Sequence, residues 1–410
     1  MLLVAAGFAY RSSRAHHVDP KLLADLPRTI KAVFLARSYV PGGDAALQVS
    51  APLRTVTVQV LQAGPERIRT HSPSLLLGVA RSGTSTIHLG ATGTTLVHVH
   101  VGAWASGLYF ARLQGRGGWL GFAPFVVRPK HLGMHRVAVV LPTNTWQAYN
   151  FRDVDGDADG DTWYADPSIH VVDLQRAFLH RGVPPHFTSY DLGFVRWLAH
   201  SGKQVDFLSD DDLEAVATGG ELVRDYDLIV FSGHEEYVTA HTYDIVARYR
   251  DLGGNLAFLS ADNFFYEVER QGESLHGRTR WRDIGRPEAR LVGAQYVDWN
   301  HDKYPNEPYV VTGVRRAPWL FAGTGLRDGS TFGRYGIEID ARTADSPPGA
   351  IELARVPNVF GAGKTAEMTY YETPRGAKVF DAGTINFGGT AEFPIVSKLL
   401  SNLWARLAAP

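Results

Sequence analysis

The feature that most constrains this fold is a change in hydrophobic rhythm near His135. Downstream of it, Val137 to Leu141 is a continuous apolar run, and Val205 to Leu208 (interrupted by Asp206), Leu228 to Phe231 and Leu256 to Leu259 are three more. A strand that is apolar on both faces has to be covered on both faces, as in a parallel sheet flanked by helices. Helix-like segments lie between the runs: Leu192 to His200, and Thr239 to Asp251 with Thr239 placed as N-cap and Gly253-Gly254 as the stop. This alternation predicts right-handed crossovers and a doubly wound, mainly parallel α/β domain. Lys378 to Phe380 adds a strand and Pro394 to Leu407 a closing amphipathic helix, whereas Gly272 to Ala366, rich in Gly, Arg and Pro, offers no pattern that assigns it.

Upstream the rhythm is different. From Ile30 to Val127 apolar residues alternate in short runs, such as Val56, Val58, Val60 and Val97, Val99, Val101, between turn signals at Pro41-Gly42-Gly43, Ala63-Gly64-Pro65 and Arg81-Ser82-Gly83. That pattern predicts antiparallel strands in a β-sandwich. A chain of 410 residues exceeds what one core usually supports, so the expectation is a β-sandwich over residues 28–130 and an α/β domain over 133–408, joined through Arg128-Pro129-Lys130.

Composition narrows the partners. A net charge of −1 supplies no basic field for nucleic acid or an anionic membrane surface. The absence of cysteine removes disulfides, thiolate ligands and a cysteine nucleophile, and leaves the redox compartment open. Leu2 to Tyr10 is too short to span a bilayer and lacks a basic n-region; it reads either as the remnant of a truncated export signal or as a frayed terminus, so the compartment is cytoplasmic or exported. No other stretch reaches membrane-spanning length.

In open α/β sheets ligands bind beyond the carboxyl ends of the strands. The loops there hold the chain's most unusual polar clusters: Asn144-Thr145-Trp146-Gln147-Ala148-Tyr149-Asn150 after the first run, Gly233-His234-Glu235-Glu236-Tyr237 after the third, and Asp262-Asn263 after the fourth. Tyr190 joins them, because the helix opened by Ser189-Tyr190-Asp191 starts at the same edge. Taken singly, one of 17 tyrosines is ordinarily a wall residue, His234 a hydrogen-bonded structural imidazole and Glu235-Glu236 a solvated pair. Convergence on one edge is what makes them candidates.

At these residues the sequence resembles the large (β) subunit of bacterial N,N-dimethylformamidase and the proteins that share its C-terminal domain. The resemblance is carried by Thr145-Trp146-Gln147-Ala148-Tyr149-Asn150, Tyr190-Asp191 with Phe194-Val195-Arg196-Trp197-Leu198, Ser232-Gly233-His234-Glu235-Glu236-Tyr237 and Asp381-Ala382-Gly383-Thr384, and upstream by Tyr39-Val40-Pro41-Gly42, Gly107-Leu108-Tyr109-Phe110-Ala111 and Ala123-Pro124-Phe125-Val126-Val127. It implies an immunoglobulin-like sandwich beside an α/β domain similar to class I glutamine amidotransferases. It also implies an amidohydrolase with mononuclear Fe(III) on two tyrosines and a glutamate, here Tyr149, Tyr190 and Glu236, with His234 and Asn263 around them and Glu372 moving the proton. The substrate implied is a small amide, and the assembly includes a small second subunit or a homo-oligomer. Ferric iron suits phenolate ligands, since a phenol with an ordinary pKa of about 10 gives up its proton only to a strong Lewis acid.

One segment departs from that family. Asp153-Val154-Asp155-Gly156-Asp157-Ala158-Asp159-Gly160-Asp161 follows Tyr149-Asn150 closely, and from Asp155 it matches the opening of a calcium loop, with Asp155, Asp157, Asp159 and Asp166 as ligands. Its flanks do not read as paired helices. With the sandwich, Trp104 and Trp163, this Ca²⁺ loop motivates the alternative of a non-catalytic carbohydrate- or surface-binding protein. A glutamine amidotransferase-like hydrolase lacks its usual nucleophile, because there is no cysteine.

Overall fold

The computed structural model describes residues 24–408 except 92, 158 and 165–167. The Leu2–Tyr10 run and Asp166 lie outside the described residues. The protein is a mixed α/β structure in which strands predominate over short helices. Among the described residues no helix is long and apolar enough to cross a membrane.

The alternating first part forms two antiparallel sheets around one core. Asp44–Ser50 runs between Lys31–Phe34 and Thr94–His100 in a three-stranded sheet. Opposite lies a six-stranded sheet that includes Thr55–Gln62, Gly107–Gly115 and Trp119–Val127. Ala45, Leu47 and Val49 point inward and are fully buried while their neighbours face out, the period-two signature of a half-buried strand. The inner faces meet through Phe34 and Phe125, whose rings are 4.5 Å apart. Strand Thr94–His100 is an edge and leaves Val97 and Val99 half-buried.

The continuous apolar runs become Val137–Leu141, Asp206–Ser209, Leu228–Phe231 and Asn255–Phe258, and Lys378–Asp381 joins them, all five mutually parallel. Across the sheet they stand in the order second, first, third, fourth, fifth by chain position. The chain moves from the first strand to one side and then crosses to the other, which opens a crevice between the ends of Val137–Leu141 and Leu228–Phe231. Helix Ala240–Asp251 starts at Thr239, whose side chain accepts from the backbone N–H of Thr242 at 3.0 Å, and the chain turns away at Gly253 with φ of 108°.

The unassigned Gly272–Ala366 stretch lengthens this sheet. Ala366–Glu372, Ile351–Val356, Glu307–Val311 and Thr331–Tyr335 add antiparallel strands, so the nine-stranded sheet is mixed, not purely parallel. Register shifts in two of these pairings break the period-two pattern and explain why it was invisible.

The two parts share a core. Leu108, Phe110, Phe122 and Val126, on the outer face of the six-stranded sheet, pack in one cluster with Trp146, Phe187 and Val195. The loop after Thr55–Gln62 is also tied across: Arg196 donates to the Glu66 carboxylate at 2.9 Å and to Glu392 at 2.7 Å, all three groups largely buried. Arg69 from the same loop reaches the Gly389 carbonyl at 3.2 Å.

Glycines set the approach of the helix that follows Tyr190. A Cβ on Gly389 would fall 1.7 Å from the Ser189 carbonyl oxygen, and one on Gly193 would fall 2.1 Å from the Gly389 oxygen. Gly389→Ala is therefore expected to cost about 2–3 kcal/mol in urea unfolding, because backbone must move. Gly83→Ala, where a Cβ meets nothing within 4 Å, is expected to stay within about 0.5 kcal/mol of wild type.

Candidate functional site

The loops beyond the first and third parallel strands are stitched together by backbone N–H groups bonded to a side-chain hydroxyl. Leu141 leads through Pro142 into helix Thr143–Ala148, and Tyr149 ends it. Thr145 Oγ1 accepts from the N–H of Glu236 at 3.1 Å and of Tyr237 at 3.4 Å, so this helix fixes the Glu236 backbone directly. Trp146 is buried against Phe187 and donates to Asp191 at 3.4 Å, which holds the segment carrying Tyr190. The loop after the fourth strand folds through left-handed Asp262 and Phe264, each with φ of 57°, conformations that non-glycine residues adopt at a cost.

Three carboxylates converge on one imidazole. His234 Nε2 lies 3.2 Å from Glu236, 3.4 Å from Asp262 and 3.6 Å from Glu338. The nearest ligand atoms of His234, Glu236 and Asp262 all sit within 4.8 Å of one another, close enough to share an ion. No ammonium or guanidinium of the described residues pairs with Glu236, Asp262 or Glu338; Arg278 instead covers the rings of Trp163, Tyr164 and Tyr266. Burial, then the neighbouring acids, pushes Asp262 far above the usual carboxylate range. Glu338 moves the same way, burial outweighing the opposing pull of His234. Asp262 Oδ1 and Glu338 Oε2 have no hydrogen-bond partner.

Phenols line the other side. The Tyr164 hydroxyl bonds to the Tyr149 hydroxyl at 2.9 Å, to Glu236 at 3.0 Å and to Tyr237. Burial raises the Tyr149 phenol well above its ordinary range, and the Glu236 charge adds to it. Tyr190 is buried, with its ring stacked on His186 at 5.0 Å; His186 meets the Tyr149 ring edge-on at 6.1 Å. His186 thus stands between the two tyrosines. His186 is exposed toward a cavity, yet the protein packed around it, and then the charge on His234, lower its pKa to about 4.

Of the residues singled out in the sequence, Tyr149, Glu236 and His234 come together, and Tyr190 joins through His186. Asn263 lies beside them, its amide nitrogen 3.3 Å from Asp381. Glu372 does not. It pairs in register with Lys378, at the amino end of the last parallel strand, whereas Thr369 pairs with Asp381 at the carboxyl end. Its carboxylate is taken by Tyr370 at 2.5 Å and Arg406 at 2.9 Å. Tyr237 belongs to the cluster named from the sequence, whereas Glu338, Tyr164 and His186 went unrecognised. Glu338 belongs to the bulged stretch without pattern; the Trp163-Tyr164 pair and the Pro184-Pro185-His186 turn were the available signals.

The tryptophans behind a carbohydrate-binding reading pack against neighbouring rings: Trp163 is buried against Tyr237 at 5.0 Å, and Trp104 stacks on Tyr109 at 5.3 Å. In the acidic run Asp153, Asp155 and Asp157 approach one another at the surface. Asp155 and Asp157 accept from the loop's own N–H groups at 3.1 and 2.8 Å, and among the described residues no helix flanks the loop directly on either side.

Residues 91–397 match the family described as N,N-dimethylformamidase beta subunit-like, C-terminal. Over 79 residues the chain is 33% identical to the N,N-dimethylformamidase beta subunit of Alcaligenes sp, a match that spans 19% of this chain and 10% of that protein. Among solved structures, a superoxide reductase (neelaredoxin) from Ignicoccus hospitalis is similar over 25% of this chain and 78% of its own, at 14% identity and a TM-score of 0.16. A cycloisomaltooligosaccharide glucanotransferase from Paenibacillus sp. covers 87% of this chain and 68% of its own, at 8% identity and a TM-score of 0.19. Scores this low carry no argument about fold or function.

Behind the crevice a second acid pair supports the helix that ends at Tyr149. Asp210 accepts from Thr143 Oγ1 at 2.9 Å and from the Asn144 N–H at 2.6 Å, and faces Glu235. Burial lifts Asp210 from the usual 3.8 to about 6. A raised acid pKa gives stability that is fully present below the unfolded value and lost as pH climbs through the folded one. Asp210→Asn should therefore gain on wild type by about 1–3 kcal/mol between pH 4 and pH 8. Urea unfolding of both proteins at the two pH values checks this.

Proposed function

From its place in the N,N-dimethylformamidase beta subunit-like, C-terminal family, to which this chain belongs, we propose that it hydrolyses the C–N bond of a small amide at the crevice beyond Leu141 and Phe231. The observation that carries the reading is the set of Glu236, Asp262 and Glu338 around His234, with which no ammonium or guanidinium of the described residues pairs. Uncompensated buried carboxylates either keep their protons or hold a cation, and the unpartnered oxygens of Asp262 and Glu338 leave donors available. These are hard oxygen donors, which suit ferric iron better than soft ions. Tyr149, Tyr190 and Glu236 would hold the ion. Bound there, it would polarise the amide carbonyl and acidify a water molecule.

The chain's own residues do the rest. Tyr164 orients the Tyr149 oxygen and the Glu236 carboxylate together. Glu236 and Asp262 fix the His234 ring. Glu338, half-buried with its Oε2 3.6 Å from His234 and its side chain facing Asp262, is the carboxyl that would give a proton to the departing nitrogen, in place of Glu372. Asn263, with Oδ1 unpartnered, is the further polar group available to orient the amide. The same membership supports a glutamine amidotransferase-like unit at 133–408 and a second chain in the assembly, as the name β subunit implies for the Alcaligenes relative, and the two antiparallel sheets upstream support an immunoglobulin-like sandwich at 28–130.

Metal analysis and the visible spectrum test the site together. Near-stoichiometric iron and a visible charge-transfer band are expected, with the band and the iron both lost in Tyr149→Phe. Glu338→Gln should keep the iron and lose about 10²–10⁴-fold in kcat on a formamide, while Glu372→Gln turns over as wild type. Protein that stays colourless after iron loading and reoxidation would overturn the reading.

A further inference from the structure

Tyr149 and His186 have a second face. Away from the acid cluster they close one end of a cavity of about 310 Å³, at the small end of the range for ligand pockets. Most of its wall is carbon: Pro73, Phe151, Leu179, Val183, Pro184 and Pro185. No Lys, Arg, Asp or Glu of the described residues lines it. Asn150, also in the wall, has its amide committed, donating to Gln147 at 3.0 Å and Ala177 at 3.2 Å and accepting from the Leu179 N–H at 3.3 Å. Polar side chains in the lining are those of Tyr149, His186, His180, Thr188 and Ser189, and the first two also face the acid cluster.

The wall is also pre-formed. Three prolines stiffen it. Pro73 belongs to the loop that Arg196 pins through Glu66 and that Arg69 ties to Gly389. By volume the space equals roughly ten water molecules, far more than a methyl-substituted formamide occupies.

We propose that this cavity is the specificity pocket of the site and takes an uncharged amide carrying an apolar substituent of about butyl to phenyl size, with the amide group at the Tyr149 and His186 end. The inference rests on the amide-hydrolase reading and adds the substrate class to it. A rigid apolar wall favours length: each methylene withdrawn from water contributes about fourfold in affinity. An uncharged wall disfavours charged substituents, which would be desolvated without a partner.

The test is titration calorimetry on the full chain with two series, N-alkyl formamides from methyl to butyl and N-methyl amides of acids from acetic to pentanoic. In one of the two, Kd should tighten about threefold to fourfold per methylene, and the series that does so identifies which side of the amide enters the cavity. Pro73→Trp, at an exposed wall position, should abolish the gain beyond the first methylene. Phe151→Ala, which removes wall without adding bulk, should flatten it. Affinity independent of length in both series, or a gain unchanged in both variants, would overturn the inference. Because binding is read apart from turnover, the two ideas fail separately. Formamide hydrolysis without length dependence sinks the pocket and keeps the amidase, whereas length-dependent binding by a chain that hydrolyses nothing does the reverse.

Discussion

A strand covered on both faces has nowhere to put a polar side chain except at its ends, and in this protein that constraint organises everything else. Val137–Leu141, Leu228–Phe231 and Asn255–Phe258 are buried along their whole length. Because all five such strands are parallel, their carboxyl ends share an edge, and the polar content of the connecting loops collects there. The crossing of the chain from one side of the first strand to the other then parts two of those loops and makes room between them. Thr145 is the hinge pin of the arrangement, since one hydroxyl oxygen on the first loop accepts from two consecutive N–H groups on the third.

What collects at that edge is electrostatically unbalanced. Glu236, Asp262 and Glu338 surround a single imidazole, and Tyr149, Tyr164 and Tyr237 add phenols joined through one shared hydroxyl. In a stable core such acids are paired with arginine, as Glu66 and Glu392 are with Arg196. Retaining unpaired acids sets stability against readiness to bind a cation or to carry a proton.

Legibility followed burial geometry. The four apolar runs, the Thr239 cap and the Pro394–Leu407 helix could be read because each rests on a local rule: a continuous buried face, a side-chain acceptor for the first turn, a proline at the first helical position. The antiparallel half of the sheet could not, because bulges shift register at Glu307/Tyr309 and at Glu352/Ala354 and destroy the alternation on which a strand is recognised. The site divides along the same line. Tyr149, His234 and Glu236 follow legible strands and could be placed at one edge from the sequence; Glu338, on a two-stranded ribbon with a shifted register, could not. Glu372 was implied by the resemblance alone, and the antiparallel pairing of its strand carries it to the opposite edge of the sheet.

The loop bearing Glu66, Arg69 and Pro73 links these observations to the chain's ancestry. It precedes residue 91, where the family match begins, yet it supplies part of the wall beside Tyr149. Of that wall, Pro73 alone is written before the matched stretch, whereas Phe151, Leu179, Val183, Pro184 and Pro185 lie inside it with the acids and phenols. A change in this loop would reshape one side of the cavity and leave the cluster beside it untouched.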